Sequence, residues 1–145
     1  TNWQAFSANE APLILKAAEA RISAHSGDWI VWLGGVSNEV SLVKQQVTIP
    51  SQTPVLQFWQ WIASNDACGH DFGGVLVNDI VLEKFDLCTN TKTNGWKLHT
   101  IDLAAYARQT VALQIRAETN GRVHSNPSRG GARRLASTTR CEGAG

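Results

Sequence analysis

The side chains in this sequence that could do chemistry do not fall into the spacings that catalysis or metal binding needs. Four histidines, His25, His70, His99 and His124, are scattered through the chain. None has a second histidine four residues away, and no His-Glu-x-x-His occurs, so a helix-borne metal pair finds no support. Cys68 and His70 lie close together, but no Cys-x-x-Cys partner completes a tetrahedral zinc set. Ser26 stands beside His25 and near Asp28, yet a nucleophilic triad is assembled in space and not along the chain. The segment His25-Ser26-Gly27-Asp28 reads as a turn with Gly27 at positive φ, and no Gly-x-Ser-x-Gly elbow is present. Asp66 and Asp71 flank Cys68-Gly69, with Glu39 and Glu118 as further carboxylates. A glycosidase would hold two such groups about 5–10 Å apart across a cleft, whereas acidic turn residues more simply cap backbone amides. The chain is read as non-catalytic, with no metal and no cofactor.

Binding chemistry has better material. The chain holds six tryptophans in 145 residues, and two of them lie in the run Val55-Leu56-Gln57-Phe58-Trp59-Gln60-Trp61-Ile62-Ala63-Ser64. This run is aromatic-rich, alternating and free of Gly and Pro, which predicts a central β-strand. Trp59 and Trp61 then share one face with Gln57, while Leu56, Phe58 and Ile62 share the other. Large apolar residues on both faces require cover on both. One cover is the domain core; the other is protein, a partner or a ligand. Aromatic faces stack on the C–H surfaces of sugars, with neighbouring amides and carboxylates holding the hydroxyls. Asn38, Asn65, Asp66 and His70 fall on loops that would rim such a site. The competing reading packs Trp59 and Trp61 under a loop or against a further strand, and both readings stay open. Trp29, Trp32 and Trp96 are assigned to the core or to strand edges.

These residues need a scaffold, and turn signals divide the chain into short strands in the manner of an all-β sandwich. Strands are expected at Leu13–Lys16, Trp29–Leu33, Ser41–Ile49, Val55–Ser64, Gly74–Val77, Ile80–Phe85, Lys97–Asp102 and Thr110–Glu118. Asn78-Asp79 is a tight hairpin turn, because both residues tolerate the left-handed region. Pro50 and Pro54 bracket a loop. Ala11–Ile22 reads as a strand followed by a loop. Leu103–Ala107 is too short for an independent helix and reads as one helical turn that plugs the end of the sandwich with Leu103 and Tyr106.

Size and composition set the outer limits. A chain of 145 residues makes one domain with a single core. A net charge of +1 leaves no electrostatic footprint for nucleic acid or an anionic membrane. No apolar run reaches the roughly 18 residues that span a bilayer. The sequence opens at Thr1 without a signal-type stretch, so it is expected to be part of a longer protein. Of three cysteines, Cys68 and Cys88 flank a strand-turn-strand pattern. A bridge between them would stabilise the fold by about 3 kcal/mol and imply an exported protein; the alternative is two free thiols in a reducing compartment. After Asn126 the composition changes. Residues 127–145 hold four Arg, one Glu and no aromatic residue, too little apolar surface to offset ordering entropy. The module is therefore expected to end at residue 126, followed by a disordered or aberrant Arg/Gly/Ser-rich tail. A shifted reading frame near Pro127 would produce such a composition.

Several motifs carry a family resemblance over roughly residues 2–126. They are His25-Ser26-Gly27-Asp28-Trp29, Trp32-Leu33-Gly34-Gly35 and Ser37-Asn38-Glu39, then Ser64-Asn65-Asp66-Ala67-Cys68-Gly69-His70-Asp71. Val75-Leu76-Val77-Asn78, Asp86-Leu87-Cys88 and Asp102-Leu103-Ala104-Ala105-Tyr106-Ala107-Arg108-Gln109-Thr110-Val111 complete the set. Together they resemble the galactose-binding-like and MAM-like jelly-roll modules appended to secreted bacterial peptidases of the immune inhibitor A type and to glycan-active enzymes. The resemblance implies an antiparallel jelly-roll β-sandwich, secreted as a non-catalytic accessory module. Its partners would be a carbohydrate or another cell-surface polymer and an attached catalytic domain. The alternative role is a structural or interdomain module of a secreted peptidase, with no ligand of its own. Family members usually open with an Asn-Gly-Gly-Phe-Glu strand and close with a Phe-x-Asp-Asp-Val strand, and neither stands here. That implies missing terminal strands and an exposed sheet edge. It also removes acidic residues that often supply a structural calcium site, a cation that needs six to eight oxygens.

Overall fold

Alternating apolar and polar residues over stretches of three to nine produce ten strands among the described residues. The structure, a computed structural model, describes residues 3–20, 22–121 and 134–138. The strands are β1 (Gln4–Ser7), β2 (Ile14–Lys16), β3 (Trp29–Leu33), β4 (Val40–Thr48), β5 (Val55–Ala63), β6 (Phe72–Val77), β7 (Ile80–Asp86), β8 (Lys97–Asp102), β9 (Thr110–Glu118) and β10 (Arg134–Thr138). They form two five-stranded sheets, in the orders β1-β4-β9-β6-β7 and β2-β3-β10-β5-β8. Every pairing is antiparallel. Apart from a single 3-10 turn at Ala104–Tyr106, the described residues are all-β, as the sequence implies.

The core follows from the period of two. Along β5, Leu56, Phe58 and Ile62 are buried, while Gln57, Trp59 and Trp61 alternate with them on the other face. Val31, Leu33 and Ile101 join them from the same sheet, and Val43, Val75, Val77, Val111, Leu113, Ile115 and Ala117 face them from the other. Each full burial of such a side chain is worth about 1.5–3 kcal/mol. Leu103, 1% exposed, and Tyr106 close one end of this core from the 3-10 turn, and the Asp102 carboxylate accepts the Ala104 N–H at 2.8 Å to start that turn. At the β6–β7 hairpin, Asn78 and Asp79 both take positive φ, 51° and 65°, as their side chains allow.

Two strands depart from the sequence reading. β1 pairs with β4 through Gln4↔Lys44 to Ser7↔Ser41 and covers the edge of β4. β10 lies within the segment expected to be disordered, and it occupies the middle of its sheet. It pairs with β3 on one side and with β5 on the other, and its Leu135 stands in register with Leu33 and Ile62. Residues 134–138 of the tail thus form a paired strand where disorder was expected; residues 127–133 and 139–145 of the tail lie outside the described residues. A composition average over the tail hides Arg-Leu-Ala-Ser-Thr. Its weak strand propensity is outweighed by two neighbouring edges that satisfy its backbone groups on both sides.

Cys68 and Cys88 form a disulfide with Cα atoms 4.9 Å apart. It ties the β5–β6 loop to the connection leaving β7. Among the described residues no helix is long and apolar enough to cross a membrane.

Candidate functional site

The residues singled out by the sequence separate into two groups. Gln57, Trp59 and Trp61 lie on the outer face of the second sheet, as alternation requires. Asn65, Asp66 and His70 belong to the β5–β6 loop. Between Trp59 and Asn65 the chain advances six residues, about 20 Å of extended strand. Asn38 sits in the β3–β4 loop at φ 54°, where its N–H donates to the Asn120 carbonyl at 3.0 Å.

At that end of the sandwich the carboxylates serve the backbone. Asp66 is fully buried and accepts the Ala67 N–H at 2.9 Å, so it anchors its loop and does not form a rim. Asp71, also fully buried, accepts the Asn120 N–H at 2.9 Å. Glu39, 1% exposed, accepts the Ser7 hydroxyl at 2.6 Å and the Asn9 N–H at 3.2 Å. Through these bonds it clamps the end of β1 onto the start of β4. Among the described residues no three His, Cys, Asp or Glu side chains converge on a metal position.

The aromatic face of the second sheet is largely roofed. His25 stacks on Trp59 with ring centroids 3.7 Å apart and planes 15° from parallel. Trp96 meets Trp61 edge-on at 5.7 Å, and the Trp96 indole N–H donates to the Ser23 carbonyl at 2.8 Å. Ala17, Ala20 and Ile30 form a small second core there, with Leu15, Ile22, Ala24, Trp32 and Trp96 packed around it. The β2–β3 loop and the residue preceding β8 thus cover much of what a ligand would touch. Toward β8 the cover thins: Leu98, in register with Trp59, is 49% exposed, and Gln57 reaches Thr100 Oγ1 at 3.4 Å.

An open groove lies on the opposite side of the molecule, on the outer face of the first sheet, and the sequence reading did not single it out. Its volume is about 240 Å³, and Phe72, Gly74, Leu76, Val81, Lys84, Arg116 and Glu118 line it. Register explains why it exists. Gly74 of β6 stands between Lys84 of β7 and Arg116 of β9, so the row has two long side chains and nothing between them. Phe72 bounds one end of the gap, and Leu76 with Val81 bounds the other. The neighbouring Gly73 alternates to the inner face and is glycine for a different reason, since a Cβ there would collide with the Phe85 ring. The Lys84 ammonium sits 4.1 Å from the Phe72 ring centroid. Arg116 turns its Nε and Nη2 onto a single oxygen of Glu118, the Nε contact at 2.9 Å. The signal available in sequence was the Gly-Gly pair inside an apolar strand, which marks close approach of another group to the backbone.

No protein-family model matches this sequence, and no curated protein matches it. Among solved structures the fold is similar to TmCBM61, determined in complex with beta-1,4-galactotriose. The TM-score is 0.59 at 15% identity, over 94% of this chain and 83% of that one. It is also similar to a carbohydrate-binding module of the β-sandwich superfamily with promiscuous specificity (TM-score 0.56, 15% identity, 95% of this chain and 55% of that one). A third likeness is to the K1 cleaved adhesin domain of Lys-gingipain from Porphyromonas gingivalis W83 (TM-score 0.57, 13% identity, 96% and 91%). At these identities the likeness establishes the fold: an antiparallel β-sandwich of the type found in carbohydrate-binding modules.

Proposed function

We propose that this chain is a non-catalytic, extracellular module that binds carbohydrate on the groove of its first sheet and serves an attached catalytic domain. The observation that carries this reading is the gap over Gly74. It combines an aromatic wall at Phe72, aliphatic patches at Leu76 and Val81, and donors and acceptors at Lys84, Arg116 and Glu118. A pyranose has the matching surface, with apolar C–H faces and hydroxyls at its edges. Two of the structural neighbours are carbohydrate-binding modules, and the disulfide fits an oxidising compartment.

A glycan array with the labelled protein, followed by calorimetric titration of the hits, tests the reading. Phe72→Ala and Arg116→Ala should each weaken binding at least tenfold with little change in melting temperature. If no polysaccharide binds, the reading fails. The alternative then stands, a structural or interdomain module of a secreted peptidase with no ligand of its own.

A second reading keeps Trp59, Trp61 and Gln57 as the contact surface. It is favoured by the exposed His25 ring lying flat on Trp59 beside the exposed Leu98, a parallel contact that a sugar ring would reproduce. Loss of binding in Trp59→Ala with binding retained in Phe72→Ala would select it.

A further inference from the structure

We propose that the groove selects saccharides bearing a carboxylate, the uronic-acid class, and that Lys84 is the residue that reads the charge. This rests on the reading of the groove as a carbohydrate site. Three charged side chains line the groove: Lys84, Arg116 and Glu118. Arg116 and Glu118 are paired with each other. Lys84 is different, because no carboxylate of the described residues lies within ion-pair distance of its ammonium, which rests over the Phe72 ring instead. Asp86, cross-strand from Phe72, uses Oδ1 on the Gly69 N–H at 3.3 Å. Lys44, on the next strand beyond β9, lies 4.0 Å from Asp79. One positive charge in the groove is therefore left uncompensated.

Position gives that charge its meaning. Lys84 and Arg116 flank Gly74 two strand spacings apart, about 10 Å, room for one sugar ring laid across the glycine. A carboxylate on that ring meets Lys84 at one edge of the gap. Its hydroxyls meet the second oxygen of Glu118 and the remaining donors of Arg116 at the other. A charge-assisted contact in a half-open groove is stronger than a neutral one and is screened by salt, so the preference should be modest and salt-sensitive.

Oligogalacturonate, its fully methyl-esterified form and a neutral oligogalactan of the same length are the probes, titrated against the full chain at low and high salt. The acid form should bind about fivefold or more tightly than its ester at low ionic strength, and the advantage should shrink at high salt. Lys84→Met should bring the acid form down to the affinity of the ester, with an unchanged melting curve showing that the fold is intact. Equal binding of acid and ester, or a preference that survives in Lys84→Met, overturns the proposal. If only the neutral oligosaccharide binds, this inference fails and the carbohydrate reading stands. If no saccharide of any kind binds, both fail.

Discussion

His25 lies flat on Trp59, ring centroid to ring centroid 3.7 Å, and this contact turns the outer face of the second sheet into a second packed layer. The β2–β3 loop brings Ala17, Ala20 and Ile22 down beside it, and Trp96 closes the neighbouring position over Trp61. Much of the tryptophan-rich surface is thereby spent on stability.

Substitution should reveal that expense directly. Trp59→Ala should lower the stability of the free protein by about 2 kcal/mol or more, toward the range of core truncations. His25→Ala should cost about 0.5–1.5 kcal/mol, the value of one aromatic pair. Urea denaturation measures both. A Trp59→Ala variant as stable as the parent would mean that the loop does not pack on this face.

Truncation after residue 126 should be far more damaging than the composition of the tail implies. It deletes β10 and leaves β3 and β5, which flank it, with unpaired backbone edges inside one sheet. The shortened chain should lose cooperative unfolding and self-associate, as read by circular dichroism and size-exclusion chromatography. Retention of the full melting temperature would show that β10 contributes nothing.

Filling the groove should separate binding from folding. Gly74→Val adds a side chain between Lys84 and Arg116, on a strand that favours β-branched residues. The new Cβ would lie 3.2 Å from the Glu83 carbonyl oxygen, tight but without positive φ, so the stability cost should stay near 1 kcal/mol. Carbohydrate binding should fall more than tenfold. Undiminished binding in a folded Gly74→Val protein would move the site elsewhere.

Reduction of Cys68–Cys88, or Cys68→Ser with Cys88→Ser, should lower stability by about 2–4 kcal/mol. Cys88 is fully buried, and Thr91 Oγ1 accepts its N–H at 3.0 Å, so the loop around it is held at one end even without the bridge. Melting with and without reductant gives the difference.

The strand pattern was legible because it is local. Trp29–Leu33, Lys97–Asp102 and Thr110–Glu118 appear with the same bounds in sequence and structure, since each is a periodic run between turn signals. The same holds for Asn78-Asp79 at its hairpin and for the partition of β5 into a core face and an outer face. The reach between Cys68 and Cys88 also follows from two strands joined by a tight turn. In each case neighbours along the chain supply the physics: side-chain alternation, backbone conformational preference and short loop closure.

What only the tertiary structure decided involves partners far apart along the chain. Nothing in Val55–Ala63 says that His25 and Trp96 will cover Trp59 and Trp61, because that depends on where two remote loops come to rest. Nothing in Arg134–Thr138 marks it as a central strand; the two open edges of β3 and β5 make it one. The groove exists because register sets Gly74 between Lys84 and Arg116, and register is settled by burying the opposite faces of all three strands at once. The sequence determined which residues alternate and turn. The resting places of the β2–β3 loop and of Trp96 decided which outer face was covered and which was left open.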